Sequence, residues 1–325
     1  VDQVFVFILR RLALAGVILW VVSLLVFAGC EVLPGDVAQV ALGQYATPES
    51  VRALRTELGL DRPAPERYLD WLEGMLRGDF GRSMTTKTPV SQLLSERLRN
   101  TGILAGSTTL IAVPLAIGLG LMMALWSGGA FDRIASIVVL ALSATPEFLI
   151  GTLAVLLFAV KLRWLPAIAN VDPTFSLGQL GRALLLPVGT LTLVVAAQIA
   201  RMTRATVTNL LDSPFIEMAV LKGVPPRRLI FVHALINVVG PLANVVALNV
   251  AYLVSGVVVV ETIFAYPGMA RLMVDAVGAR DLPLVQACAM LFCAAYVLLI
   301  LAADLIAFLF NPRARTNTQL KRLPT

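Results

Sequence analysis

The sequence predicts an all-α polytopic membrane protein with six transmembrane helices. Three observations carry that expectation. Of 325 residues, 58% are hydrophobic and only 14% are charged. The mean hydropathy is +0.85, and the apolar residues gather into runs long enough to cross a bilayer. Such a balance excludes an ordinary soluble domain and a disordered chain. A spanning helix needs about 20 mostly apolar residues, each rising about 1.5 Å, to cross about 30 Å of hydrocarbon.

In chain order the runs cover residues 12–28, 101–126, 134–160, 183–200, 241–260 and 284–310. The polar segment 31–100 between the first two is punctuated like folded structure. Thr47-Pro48-Glu49 supplies a cap, a first helical residue and a first-turn acid, and Gly59 is a stop. Pro65 opens a second helix whose Tyr68, Leu69, Leu72, Met75 and Leu76 share one face, and Gly78 closes it. That face is expected to pack on its own domain, with a docking surface as the functional alternative. Phe27-Ala28-Gly29-Cys30 resembles a lipoprotein cleavage site. Phe stands where Leu is usual, however, and five more spans follow, so a retained span is predicted. Cys288 and Cys293, five apart on one apolar helix, do not share a face.

Orientation follows from the Lys and Arg residues of the short loops. Arg10 and Arg11 precede the first span. Arg201, Arg204, Lys222, Arg227 and Arg228 fall between the fourth and fifth, and Arg313, Arg315, Lys321 and Arg322 follow the sixth. Six spans place these clusters on one side, which predicts both termini in the cytoplasm and segment 31–100 outside. The net charge of +6 is then topology signal, and nucleic-acid binding is not expected.

Polar groups inside spans are costly, about 2.5–3.5 kcal/mol for a charge at the centre on insertion scales, so they face cavities or partners. Glu147, next to Pro146 in the third run, reads either as pathway lining beside a kink or as a hydrogen-bonded structural carboxyl. Asp304 is expected to pair with a neighbouring helix. Asn244 and Asn249 are expected to bridge helices, and Gly102 and Gly106 to allow close helix packing.

No catalytic constellation is visible. His233 is the only histidine, which rules out multi-histidine metal motifs, and no metal site is expected. None of the four lysines, Lys87, Lys161, Lys222 and Lys321, follows a glycine, so the Gly-Lys-Ser/Thr loop that cradles ATP phosphates is missing. If transport here is ATP-driven, the ATPase is another polypeptide.

Between the fourth and fifth runs, Ser213-Pro214 starts a short helix through Glu217 and Ala219 that ends near Gly223. Pro225-Pro226 then starts a second, carrying Arg227, Arg228, Leu229 and Ile230. The expected product is a compact helix-turn-helix at the membrane surface, against which another protein could push.

This loop resembles the E-A-A-x3-G-x9-I-x-L-P motif of the integral membrane permease subunits of ATP-binding-cassette importers. Glu217, Ala219 and Gly223 match, and Leu235 falls at the later leucine. Met218 replaces the first alanine, His233 the isoleucine and Ile236 the terminal proline. The rest of the chain is similar to the oligopeptide, dipeptide and nickel branch. The matching strings include Leu33-Pro34-Gly35-Asp36, Gly59-Leu60-Asp61-Arg62-Pro63, Tyr68-Leu69-Asp70-Trp71-Leu72 and Arg77-Gly78-Asp79-Phe80-Gly81-Arg82-Ser83. Further matches are Arg97-Leu98-Arg99-Asn100-Thr101, Trp164-Leu165-Pro166, Val260-Glu261-Thr262-Ile263-Phe264-Ala265-Tyr266-Pro267-Gly268, Ala279-Arg280-Asp281-Leu282-Pro283 and Asn311-Pro312-Arg313. The long segment after the first span looks like the B-type half of that branch.

The resemblance implies a non-catalytic permease subunit in the bacterial inner membrane. Its partners would be a paralogous second permease, two ATPase subunits that bind ATP and Mg²⁺, an extracytoplasmic substrate-binding protein, and membrane lipid. It divides the chain into an N-terminal span with outer segment (1–100), a five-helix core (101–310) holding a coupling loop (201–240), and a basic tail (311–325). It assigns Glu217, Arg227 and Arg228 to polar contacts with the ATPase, and Ala219 and Gly223 to close backbone approach. Pro146 and Glu147 become candidate pathway residues. Di- or oligopeptides are the expected substrate, with nickel, opines, glutathione or short sugars as alternatives. An intramembrane enzyme or a membrane anchor is the remote alternative.

Overall fold

The structure is a computed structural model that describes residues 2–32, 37–42, 46–57, 59–171, 174–224, 235–255 and 258–310. The described residues form helices and loops, with one isolated antiparallel bridge between Arg82 and Pro89. The helices are α1 (Asp2–Val32), α2 (Val37–Leu42), α3 (Pro48–Glu57), α4 (Ala64–Leu76), α5 (Val90–Leu125), α6 (Ala130–Ala144) and α7 (Glu147–Ala154). They continue as α8 (Leu177–Leu211), α9 (Pro214–Leu221), α10 (Leu235–Ser255), α11 (Val258–Ile263), α12 (Met269–Gly278) and α13 (Leu282–Phe310). Among the described residues five stretches are long and apolar enough to cross a membrane, and six if α6 and α7 count as one bent span. The all-α polytopic fold is therefore present.

The third run departs from a simple kink. After α6 the chain turns by 98°, and α7 gives way to a π-helical stretch, Val155–Lys161. Proline explains the break. Pro146 has no N–H to continue α6, and its ring pushes Thr145 into extended backbone, φ −82° and ψ 126°. The fourth run is longer than the sequence predicts, and Arg201 and Arg204 lie within α8 rather than in a loop.

The chain divides into two compact units, Val1–Ile103 with Ala265–Ala295, and Leu104–Phe264 with Tyr296–Thr325. In the first unit α4 packs on α1. Phe27 of α1 meets Tyr68 edge-on at 5.4 Å between centroids and Trp71 at 5.9 Å. The Ser23 and Tyr68 hydroxyls lie 2.8 Å apart, and Arg67 reaches Glu31 at 2.7 Å. The expected local packing holds, with Tyr68 and Trp71 half-buried against α1, while Leu69 and Leu76 stay exposed. Thr47 and Gly59 act as predicted. The Ser50 N–H donates to Thr47 Oγ1 at 3.2 Å, and Gly59 stands at φ +65°.

Two polar clusters hold this unit together. The buried carboxylate of Asp281 accepts from the Ser83 hydroxyl and from the N–H groups of Met84 (3.1 Å) and Thr85 (3.4 Å). Fully buried Tyr266 donates to the Asn100 carbonyl at 2.5 Å, Asn100 Nδ2 donates to the Pro267 carbonyl at 3.0 Å, and the Met269 N–H donates to Thr101 Oγ1 at 2.8 Å. Around them pack Val90, Leu94, Met269, Leu284 and Cys288.

The second unit is built on α8. Ser176 and Gln179 close a capping box at its start, and 78% of its most apolar window is buried. Most of its middle is buried because α6, α7, α10 and α11 pack against it. Close approach between helices occurs at Gly120 of α5, where a Cβ would stand 2.6 Å from the Ala200 carbonyl oxygen and the Thr203 Cβ. At Gly102 and Gly106, among the described residues, no neighbouring atom lies within 4 Å of where a Cβ would stand. Among the described residues Asn249 makes no bond to another helix; its amide donates to the Val245 carbonyl on its own helix at 2.8 Å. Asn244 is exposed. The strings Leu33–Asp36 and Asn311–Arg313, together with Pro225, Pro226, Arg227, Arg228 and His233, lie outside the described residues.

Gly120 generates a direct test. On helix propensity alone Gly→Ala stabilises by about 1 kcal/mol, whereas overpacking costs about 1–3 kcal/mol. Gly120→Ala should therefore lower the detergent-state melting temperature, and Gly118→Ala, which meets nothing within 4 Å, should raise or preserve it. Equal behaviour of the two variants, measured by fluorescence-detected thermal unfolding, contradicts the helix crossing.

Candidate functional site

The first candidate is α9 and its join to α8. α8 ends at Leu211 and α9 begins at Pro214, so Asp212 and Ser213 alone connect them. Ser213-Pro214 starts α9, as the sequence predicts, but the Ser213 hydroxyl does not cap it. Instead that hydroxyl donates back to the Leu210 carbonyl at 2.6 Å, while the Ser213 carbonyl accepts the N–H groups of Ile216 (2.9 Å) and Glu217 (3.1 Å). The one residue thus terminates α8 and starts α9. Pro214 adds a fixed φ at the first helical position, where its missing N–H costs nothing.

α9 packs against α8, and its Ile216 is buried. Glu217, Met218 and Leu221 are exposed, Met218 by 54% and Leu221 by 75%, and Ala219 is half-buried. With Ile216 buried and Met218 and Leu221 exposed, α9 offers a surface that a partner could cover. Its end has a defined geometry. Gly223 sits at φ +76°, and the Val224 N–H bonds back to the Ala219 carbonyl at 3.2 Å. This is the six-to-one bond of a Schellman turn. Gly223 is therefore needed for its backbone conformation, and among the described residues nothing lies within 4 Å of where its Cβ would be. Of the predicted coupling residues, Glu217, Ala219 and Gly223 share this helix and turn; Arg227 and Arg228 lie outside the described residues.

The second candidate is the break at Pro146. The Thr145 N–H and hydroxyl both donate to the Ala141 carbonyl, at 3.0 and 2.7 Å. The Pro146 carbonyl accepts from Leu149 at 3.0 Å and Ile150 at 3.3 Å. Glu147 begins α7, where a carboxylate is favoured by the partial positive charge of the helix start. It is half-buried and accepts a short hydrogen bond from the Tyr252 hydroxyl of α10. Tyr252 has no distinguishing signal in the sequence, being one aromatic residue within an apolar run. The nearby groove of about 390 Å³ between α7 and α8, lined by Ile150, Ala154, Phe158, Leu185, Gly189 and Leu193 among others, carries no charged group. Glu147 is thus the charge that distinguishes this break. The sequence also gave no notice that Arg204, read there as a loop charge, pairs with Asp132.

The chain matches two family models: binding-protein-dependent transport system inner membrane component over residues 116–316, and the N-terminal component of such membrane proteins over residues 4–105. It is 37% identical over 310 residues to a probable peptide ABC transporter permease protein of Sinorhizobium fredii, covering 95% of this chain and 99% of the relative. It is also 35% identical to a glutathione transport system permease protein of Pectobacterium atrosepticum, covering 95% and 98%. A glutathione transport system permease protein of Escherichia coli K12 is 31% identical over the same shares. With both models matched along an array of membrane-length helices, the chain belongs to the binding-protein-dependent transport system inner membrane component family, as a multi-pass permease subunit.

Proposed function

We propose that this chain is one of two permease halves of an ATP-driven importer of di- or oligopeptides, set in the inner membrane with both termini cytoplasmic. The observation that carries the driven role is α9: an exposed helix with Glu217, Met218 and Leu221 outward, joined through two residues to the enclosed α8. In this reading an ATPase subunit covers α9. Glu217, with Arg227 and Arg228 further on, makes its polar contacts, and Ala219 leaves room for close approach of the partner's backbone. ATP and Mg²⁺ sit on the ATPases, consistent with the missing Gly-Lys-Ser/Thr loop. A paralogous permease completes the passage, and an extracytoplasmic binding protein delivers the substrate. Closure of the ATPase pair shifts the spans between two states through differential contacts at α9.

The peptide assignment is supported by the name of the Sinorhizobium relative. Import of glutathione, itself a tripeptide, is the second reading, favoured by the Pectobacterium and Escherichia relatives. Pro146 and Glu147 line the passage in this account, with Tyr252 holding the carboxylate in place at the break.

Two outcomes test these assignments. Left-handed backbone costs a residue with a Cβ roughly 1–2 kcal/mol, and asparagine tolerates it best. In the assembled complex, binding-protein-stimulated ATP hydrolysis should therefore fall in the order Gly223, Gly223→Asn, Gly223→Ala, Gly223→Val. The valine variant should remain in the membrane with stimulation nearly abolished. Full stimulation in Gly223→Val contradicts the driven role of α9. Glu147→Gln removes a charge while retaining shape, and should change the uptake rate or half-saturation at least several-fold; unchanged uptake makes Glu147 a structural carboxyl.

A further inference from the structure

We propose that Asp132 and Arg204 form a positioning clamp that makes α6 follow α8, so that displacement of α9 reaches the broken span at Pro146. This rests on α9 being the driven helix.

The geometry is that of a fixed joint. Arg204 Nε meets Asp132 Oδ1 at 2.5 Å and Nη2 meets Oδ2 at 2.7 Å, the two-pronged arrangement that only a guanidinium makes with a carboxylate. Asp132 is buried, with its side chain 3% exposed. Its oxygens also accept the Gly128 N–H at 2.9 Å and the Ser136 hydroxyl at 3.3 Å. One carboxylate therefore gathers donors from the turn before α6, from α6 itself and from α8.

Placement turns this joint into a link. Arg204 lies two helical turns before the end of α8, and Asp212 and Ser213 alone separate that end from α9. Asp132 lies in the first turn of α6, whose other end is the Thr145-Pro146 break leading to Glu147. Apolar packing between α6 and α8 would tolerate small sliding, because side-chain ridges can shift between grooves. A two-pronged bond to a buried carboxylate fixes both register and rotation. Sliding by one residue, about 1.5 Å along a helix, would break both prongs and leave the carboxylate buried without its cation. Surface retention of a positive charge does not require such a partner, since a membrane-edge arginine can be satisfied by water and lipid headgroups.

The test measures two distances by double electron–electron resonance in the complete transporter. Spin labels on non-natural residues leave the native cysteines in place. A pair at Met218 and Leu298 reports α9, and a pair at Ile137 and Leu298 reports α6; all three positions are exposed on this chain. ADP with vanadate serves as the trapping probe. In the native sequence both distances should shift on trapping. In Arg204→Gln the Met218 shift should persist while the Ile137 shift falls at least two-fold. Arg204→Lys, which keeps the charge without the fork, should lie between, and the exchange of Asp132→Arg with Arg204→Asp should restore the Ile137 shift. If Arg204→Gln does not assemble with its ATPases, Arg204→Lys carries the comparison. A merely structural pair would alter the resting distances or the yield, not remove one shift selectively. Undiminished Ile137 shifts in the Gln and Lys variants overturn the clamp while α9 keeps its role. Absence of a Met218 shift in the native sequence overturns the reading of α9, and the clamp with it.

Discussion

The stiffness of the α8–α9 corner is the constraint on which the second unit depends. From Pro187 onward α8 runs without a further proline and is largely enclosed by neighbours, so this part cannot bend cheaply. Ser213 completes the corner by bonding backward to Leu210 and forward to Ile216 and Glu217. A force on α9 is therefore delivered to α8 rather than absorbed in a loop. The tight fit at Gly120 and the pairing at Asp132 show how neighbouring helices are held to that axis.

The same physics explains why the bend at Pro146 sits where it does. Backbone groups in hydrocarbon need internal partners, so irregular chain is tolerated only where protein supplies them. At Thr145-Pro146 the Thr145 hydroxyl donates to the Ala141 carbonyl, and the Pro146 carbonyl accepts from Leu149 and Ile150, which meets that demand. A bend of 98° is stable because α7 is packed against α8 and α11. A charge, a missing N–H and a change from α- to π-helical winding all fall within the one short stretch 146–161.

Much of this was legible in the sequence, and the reasons differ by element. Apolar runs report membrane helices because hydrocarbon thickness sets their length, so the spans appear near their predicted places. Gly59, Gly78 and Gly223, proposed as stops, all have positive φ, since turn chemistry is local. The strings around Ser83, Asn100, Tyr266 and Asp281 stood out as family-like, but their meaning is tertiary. They meet in pairs, Ser83 with Asp281 and Asn100 with Tyr266, across more than 160 positions of chain. No periodicity encodes such meetings. Arg204 illustrates the same limit: hydropathy placed it in a loop, whereas packing extends α8 past it and brings it to Asp132. Leu69 and Leu76 erred in the opposite way, because helical spacing defines a face without saying which edge of it finds a neighbour.

The central claim is that a nucleotide-hydrolysing partner grips the outward side of α9. Photo-crosslinking residues installed at Met218 and Leu221, in cells expressing the whole transport system, test it most directly. The account predicts covalent adducts with the ATPase subunit at both positions, and none at Leu69, an equally exposed residue in the segment before the second span. Adducts from Leu221 to the secreted binding protein, or ATPase adducts from Leu69 alone, would contradict it.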